Sequence, residues 1–152
     1  FDVHHGNGTQ DLLWNEPRVL FASTHQRPLF PGSGAADERG AHGSNILNVP
    51  LAAGTDGAGF RAVMDHQILP ALDAFAPQLV LVSAGFDAHR DDPLAGLGLG
   101  VEDFAWATAR LCDLADTHAG GRLVSTLEGG YDLEALRACV AAHVAVLMER
   151  SE

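Results

Sequence analysis

The sequence predicts an α/β fold with a mainly parallel sheet. Apolar runs at 18–23, 79–82 and 123–127 are typical of buried parallel strands, and amphipathic segments at 60–75 and 101–117 are typical of helices. Alternation of strands and helices favours a parallel sheet that is covered by helices on its faces. Because crossovers are right-handed, the carboxyl ends of the strands should share one edge, where the polar motifs that follow them would meet.

The first third of the chain is predicted to contain extended segments, one short helix and one long loop. In chain order these are a strand end at 1–4, a helix at 9–14, a strand at 18–23, a loop at 24–44 and a strand at 45–51. Thr9 is the candidate N-cap of the helix, and Pro17 ends any helical structure before the strand. The loop consists mainly of Gly, Pro, Ser, Asp and His, and loops of this length are usually functional or disordered.

The rest of the chain is predicted to alternate between helices and strands. In chain order these are a helix at 60–75, a strand at 79–82, a helix at 101–117, a strand at 123–127 and a helix at 132–149. Pro70 is expected to kink the first of these helices or to start a new turn. Asp132 is the candidate N-cap of the last helix. The predicted inner stripe of that helix consists of Leu133, Leu136, Val140, Val144 and Leu147.

Length and composition indicate one globular domain without a nucleic-acid surface. The chain has 152 residues, 47% of them hydrophobic, and a formal charge of −11 with nine Lys and Arg residues. This charge argues against direct nucleic-acid binding, and it is compatible with cationic substrates such as amines or lysine-rich peptides. No apolar stretch is long enough for a membrane span, so we expect a cytoplasmic protein without membrane contact. Cys112 and Cys139 lie in apolar segments without metal-ligand spacing and are predicted to be buried free thiols.

Polar side chains at two of the strand ends form a candidate metal site. Asp2 and His4 lie two residues apart, so on an extended segment they point the same way, and Asp87 follows the run at 79–82. Zinc takes imidazole nitrogen and carboxylate oxygen, and three protein ligands with an open fourth position mark a catalytic site. An isolated Asp-x-His is usually a turn residue followed by a surface histidine. The accompanying motifs around Asp87 and at 128–131 favour the metal site.

Three ordered motifs resemble the signatures of zinc-dependent histone deacetylases, class II-like and bacterial. They are DVHHGNGTQ at 2–10, SAGFDAHRDDPL at 83–94 and EGGY at 128–131. The resemblance covers nearly the whole chain but only the C-terminal part of the family's domain. It implies the arginase/deacetylase three-layer α/β fold, with residues 1–152 forming the C-terminal part of a single catalytic domain that lacks its N-terminal strands and helices.

The resemblance also implies roles for individual residues in hydrolysis of an N-acetyl amide. Asp2, His4 and Asp87 would hold the zinc. Tyr131 would donate a hydrogen bond to the oxyanion that forms from the acetyl carbonyl, and Asn7 would orient a catalytic histidine. The substrate would be an acetyl-lysine protein or peptide, an acetylated polyamine or another small acetylated amine.

The family pattern further implies a substrate tunnel and a potassium ion beside the zinc. The expected tunnel residues are Phe30, Leu94, Gly129 and Gly130. The expected potassium site is formed chiefly by backbone oxygens of Asp2, His4, Ser23 and Thr24. Any loop offers carbonyl oxygens, so the potassium site depends on the resemblance alone.

Two alternatives stay open. A binuclear manganese ureohydrolase of the same fold needs a third ligand two residues after His4, where this chain has Gly6, while His89 completes a second Asp-x-His with Asp87. The other alternative is an inactive fragment, because the family's tandem catalytic histidines come from an earlier loop and the pair His4–His5 already belongs to the ligand segment. We therefore expect residues 1–152 alone to lack useful deacetylase activity.

Overall fold

The computed structural model describes residues 1–150, which form two pairs of parallel strands surrounded by helices. The strands are β1 (Phe21–Gln26), β2 (Ile46–Leu51), β3 (Val80–Ala84) and β4 (Leu123–Leu127). The helices are α1 (Asn7–Leu13), α2 (Gly57–Val63), α3 (Leu69–Phe75), α4 (Val101–Ala119) and α5 (Leu133–Glu149). Strand β1 pairs with β2, and β3 pairs with β4, both in parallel. The predicted α/β class with parallel strands is confirmed.

Residues 1–5 lie between the two strand pairs. The amino group of Phe1 donates to the carbonyl of Ser83 on one side, and Gln26 N–H donates to the carbonyl of Val3 on the other. The prediction of a strand end at 1–4 is wrong, because Val3 N–H donates to the Asp87 carboxylate instead of to a neighbouring strand. Val3 is fully buried, so this segment is anchored in the core.

Several predicted boundaries are displaced in the first part of the chain. Helix α1 begins at Asn7, two residues before the predicted start, because Gln10 N–H bonds to the carbonyl of Gly6, which serves as the N-cap. Thr9 therefore lies inside the helix. Strand β1 begins three residues later than predicted, since Val19 N–H closes a turn onto Glu16 before pairing with β2 starts.

The helical segment at 57–75 contains a π-helical turn, Met64–Ile68, between α2 and α3. It begins at Gly57, three residues earlier than predicted, and the side chain of the preceding Asp56 caps it by accepting from Gly59 N–H at 2.9 Å. Pro70 has no N–H for an intrahelical bond, and its ring would clash with a carbonyl of a regular helix. The wider turn just before Pro70 accommodates this residue, as the kink prediction anticipated.

Helices α4 and α5 pack against each other over the core. The apolar side of α4 is buried at Phe104, Thr108 and Leu111, in agreement with its spacing, and Asp132 caps α5 as predicted. The predicted stripe of α5 is wrong in part, because Leu133 and Val144 are 76% and 42% exposed. The buried positions of α5 are Ala135, Cys139 and His143.

Strand β3 is buried on one face only, which corrects the expectation of a continuously buried strand. It extends to Ala84, and Leu81 on its outer face is 72% exposed, whereas Val80 and Val82 are buried. Both cysteines are free and buried, as predicted. In residues 1–150, no helix combines the length and the apolar character that crossing a membrane requires.

Candidate metal centre

Asp2, His4 and Asp87 converge on one point. The His4 Nδ1 atom lies 3.1 Å from Asp2 Oδ1 and 3.0 Å from Asp87 Oδ2. One ligand atom from each of the three residues lies within 4.8 Å of the others, and no further His/Cys/Asp/Glu group of this kind occurs in residues 1–150. Asp87 is fully buried, while Asp2 and His4 are partly exposed. The site therefore has a closed inner side and an open outer side.

The geometry of these three residues fits a zinc ion. A tetrahedral zinc with ligand bonds of about 2.0–2.2 Å needs donor atoms about 3.3 Å from one another. The two distances from His4 Nδ1 are close to that value, and a single ring nitrogen faces both carboxylates. Backbone N–H groups orient both carboxylates: Val3 donates to Asp87 Oδ1, while His4 and Gly129 donate to Asp2 Oδ1 and Oδ2. Such outer contacts orient metal ligands in proteins.

The electrostatics of Asp87 also favour a cation at this point. Burial raises the pKa of the Asp87 carboxyl above its ordinary value, and the negative charge of Asp2 acts in the same direction. The N–H of Val3, 2.7 Å from Asp87 Oδ1, and the nearby His4 oppose this rise. Two carboxylates that face each other without a Lys or Arg partner are stabilised when a metal ion lies between them.

The loop Gly129–Gly130 carries Tyr131 past the metal centre. Gly129 N–H donates to Asp2 Oδ2 at 3.0 Å, and its carbonyl accepts from Phe86 N–H at 2.7 Å. A Cβ atom at position 129 would overlap the carboxylates of Asp87 and Asp2, so only glycine fits there. Gly130 has φ of 150°, a conformation that L side chains rarely adopt.

Tyr131 follows this loop with its side chain 51% exposed. Partial burial, together with the negative charges of Asp87, Asp2 and Asp92, raises the pKa of its phenol. The hydroxyl therefore stays protonated at neutral pH and is available as a hydrogen-bond donor. Leu94, another expected tunnel residue, is 54% exposed.

Phe30 lies on the loop that crosses the open side of the site. Its ring is 78% exposed, and its centroid is 6.5 Å from that of His4 in an edge-on arrangement. A buried network supports the loop from below, where His5 Nδ1 lies 2.8 Å from Ser33 Oγ. His25 Nε2 lies 2.9 Å from the carbonyl of Gly34. The loop that carries Phe30 is thus supported by two histidines that lie outside the Asp2–His4–Asp87 cluster.

His5 is engaged at both ring nitrogens. Its Nε2 donates to Gln10 Oε1 at 3.0 Å, and Gln10 Nε2 in turn donates to Glu38 Oε2. Gln10 Oε1 can only accept, and it also accepts from Asn48 Nδ2 at 2.7 Å, so this arrangement places the His5 proton on Nε2. His5 therefore supports the loop, and its side-chain partners differ from those of His4.

Four other residues that the sequence singled out lie outside the Asp2–His4–Asp87 cluster. Asn7 is exposed at the first position of α1, where its N–H donates to the carbonyl of His5. Ser23 and Thr24 lie on β1, and Ser23 Oγ is 3.0 Å from His25 Nδ1. His89 is buried, and its Nδ1 accepts from Asp91 N–H at 3.2 Å, so it is not a member of the cluster.

The residues that support the site through hydrogen bonds were not predicted from the sequence. The pair Gln10 and Glu38 and the buried Asp92 are the main examples. Gln10 lies inside one of the recognised motifs, and Asp92 precedes Pro93 in another. Nothing in their spacing specifies backbone amides or a glutamine as their partners. An acid in a turn that follows a strand end is the one signal that could have identified Asp92.

Fold and site together define an α/β protein with a carboxylate–histidine cluster suited to one divalent metal at the carboxyl end of a parallel strand pair. The chain belongs to the histone deacetylase domain family, whose model matches residues 1–147. It is 43% identical over 136 residues to a probable deacetylase of Archaeoglobus fulgidus and 47% identical over 135 residues to a histone deacetylase-like amidohydrolase of Pseudomonas aeruginosa. These matches cover 88% and 86% of this chain.

A solved structure supports the same assignment of fold. The crystal structure of the HDA15 HD domain superposes with a TM-score of 0.91 at 38% identity, covering 99% of this chain and 43% of that one. The arginase/deacetylase fold predicted from the motifs is thereby confirmed. The chain spans 38% and 35% of the length of the Archaeoglobus and Pseudomonas relatives.

Proposed function

We propose that this chain supplies the zinc ligands and the oxyanion donor of a deacetylase that hydrolyses N-acetyl amides of lysine or of a related amine. The observation that carries the proposal is the convergence of Asp2, His4 and Asp87 beside the loop that bears Tyr131. The names of the relatives, a probable deacetylase and a histone deacetylase-like amidohydrolase, support the same reaction class.

The proposed cofactor is one zinc ion held by Asp2, His4 and Asp87. Zinc, when bound there, supplies a Lewis acid that polarises the acetyl carbonyl. The position two residues after His4 is Gly6, which has no side-chain ligand, and His89 lies outside the cluster. Both features favour a single ion over the binuclear manganese alternative. A potassium ion at the backbone oxygens around Asp2, His4, Ser23 and Thr24 remains part of the proposal through the family pattern alone.

In this proposal Tyr131 stabilises the oxyanion. Its hydroxyl, which the raised pKa keeps protonated, donates a hydrogen bond to the carbonyl oxygen as negative charge develops there. Gly129 and Gly130 let the backbone pass close to the ligands Asp2 and Asp87, so the phenol can approach the same carbonyl.

We assign proton transfer to a histidine pair from another segment of the complete protein, with Asn7 orienting it. His5 is unsuited to this task because both of its nitrogens are occupied, by Ser33 and Gln10. General acid–base catalysis commonly contributes about 10²- to 10⁴-fold. We accordingly expect residues 1–152 alone to bind metal but to lack a useful rate of substrate hydrolysis.

The substrate enters along the exposed apolar side chains around the metal. Phe30 lies beside His4, and Leu94 and Tyr131 are each about half exposed. Such a surface suits the methylene chain of an acylated lysine, an acetylated polyamine or another small amine. The net charge of −11 favours a cationic amine product and disfavours direct nucleic-acid contact.

The proposal is tested on the complete protein that contains this chain. Zinc is removed, the protein is reconstituted with zinc or manganese, and metal content and acetate release from an acetyl-lysine peptide and an acetylpolyamine are measured. We expect one zinc per chain, and we expect Asp87→Asn to lose both zinc and activity because it removes an anionic ligand. Asp91→Asn is the matched control, since Asp91 is a neighbouring exposed carboxylate that is not a proposed ligand. Two manganese ions per active chain, or full zinc content in Asp87→Asn, would contradict the assignment.

A further inference from the structure

The carboxylate of Asp92 joins the two loops that border the metal centre. Asp92 is only 6% exposed, and its Oδ1 accepts from Leu94 N–H at 3.0 Å. Its Oδ2 accepts from Tyr131 N–H at 2.9 Å and from Asp132 N–H at 3.4 Å. The Asp92 side chain thus binds both the turn that carries Leu94 and the loop that carries Tyr131.

Backbone N–H groups compensate the charge of Asp92. Among residues 1–150, no Lys, Arg or His forms an ion pair with this carboxylate. Tyr131 and Asp132 lead directly into α5, a helix of 17 residues that is capped by the Asp132 side chain. The positive end of a helix dipole stabilises a nearby carboxylate, and hydrogen bonds to ionised acceptors are stronger than neutral ones. The hydrogen bonds to the Asp92 carboxylate from Leu94, Tyr131 and Asp132 form a tether between the two loops. We expect this tether to be rigid.

Tyr131 depends on this tether for its position. Gly129, two residues before Tyr131, is fixed by hydrogen bonds with Asp2 and Phe86. Gly130, which lies between Gly129 and Tyr131, has no side chain that could restrain the backbone. The described residues give the Tyr131 side chain no hydrogen bond of its own. Asp92 is the contact that fixes the far end of this short loop.

We propose that Asp92 is a positioning residue for catalysis. Through the hydrogen bonds to its Oδ2 atom, it holds the Tyr131 backbone so that the phenol reaches the oxyanion. This inference rests on the proposed deacetylase function and adds a positioning residue to the same site. Displacement of a catalytic group by about 1 Å can cost about 10²-fold in rate.

The experiment is a double-mutant cycle in the complete, zinc-loaded protein, with Asp92→Asn and Tyr131→Phe alone and combined. The asparagine keeps the shape of the side chain and replaces one acceptor oxygen by an NH2 donor, which cannot accept from the amides. We expect Asp92→Asn to lower kcat by about 10- to 100-fold while KM changes by less than about threefold and zinc content is unchanged. In the Tyr131→Phe background the same substitution should cost less than about threefold. Asp91→Asn, at the exposed neighbouring position, should leave kcat and KM unchanged.

The outcomes distinguish a failure of the proposed function from a failure of the positioning role of Asp92. Unchanged turnover in Tyr131→Phe would contradict the proposed role of the tyrosine, and hence the proposed function. A loss in Tyr131→Phe with full activity in Asp92→Asn would overturn only the positioning role, and so would losses that multiply in the double variant. Hydrogen exchange of the wild-type protein needs no variant. The amides of Tyr131 and Asp132 should be protected, and exchange at the rate of an open loop would overturn the tether.

Discussion

Acidification should destabilise the protein through His25, which lies at the base of the Phe30 loop. Its side chain is 1% exposed; Nε2–H donates to the carbonyl of Gly34, and Nδ1 accepts from Ser23. Burial lowers the pKa of His25 to about 4, from an ordinary value of about 6.5. The unfolded chain therefore takes up the proton first as the pH falls. The neutral imidazole contributes stability that is present above about pH 6.5 and is lost as the pH falls toward 4.

The size of this effect follows from the difference between the two pKa values. A difference of about 2.5 units corresponds to about 3 kcal/mol, of which about 2 kcal/mol should be lost between pH 7 and pH 5. The assay is denaturant unfolding of the metal-free protein at several pH values, compared with His25→Gln. Glutamine can still donate to Gly34 but does not titrate, so the variant should lose less stability on acidification than the wild type.

The difference between the two pH profiles isolates His25 from other titrating groups. Contributions from Asp87 and from histidines that do not contact His25 are common to both proteins and cancel, whereas His5, whose ring centroid lies 4.8 Å from that of His25, belongs to the same unit. His66→Gln is the matched control, because His66 is an exposed histidine on the π-helical turn and its variant should keep the wild-type profile. Parallel profiles for the wild type and His25→Gln would refute the reasoning.

Two further predictions concern the loop beside the metal. Tyr131→Phe should lower kcat by about 10²- to 10³-fold without loss of zinc, the usual size for removal of one oxyanion donor, and steady-state kinetics with metal analysis check this. Gly129→Ala should weaken zinc binding by at least about tenfold, because its Cβ would overlap the carboxylates of Asp87 and Asp2; competition with a chelating dye measures the affinity, and an unchanged value would contradict the close approach.

Local sequence patterns predicted the elements that depend on local interactions. Strand β4 has the predicted bounds, and the cap of α5 by Asp132 follows from a short-range preference for Asp at that position. Strand β1 was displaced because its start is set by pairing with β2, which lies across a long loop. The buried side of α5 was misjudged at Leu133, since α4 and β4 contact the side that carries His143.

The residues of the metal cluster could be predicted from the sequence, whereas the residues that support them could not. The cluster of Asp2, His4 and Asp87 was found through side-chain types in recognisable motifs, and the structure brings the three together. Asp92 was not singled out, because its partners are backbone N–H groups, which leave no signature in side-chain identity. Supporting contacts of this kind become visible only when the path of the backbone is known.

The hydrogen bond from Val3 to Asp87 has a consequence for the order of events during folding. It spans 84 positions, and the bond from Gly129 to Asp2 spans 127 positions. Closing loops of this length costs entropy that only extensive packing repays, so these contacts are expected to form late. We therefore expect a metal ion to bind after these segments have met, and we expect bound metal to slow unfolding, because the ion would have to leave before the distant segments can separate.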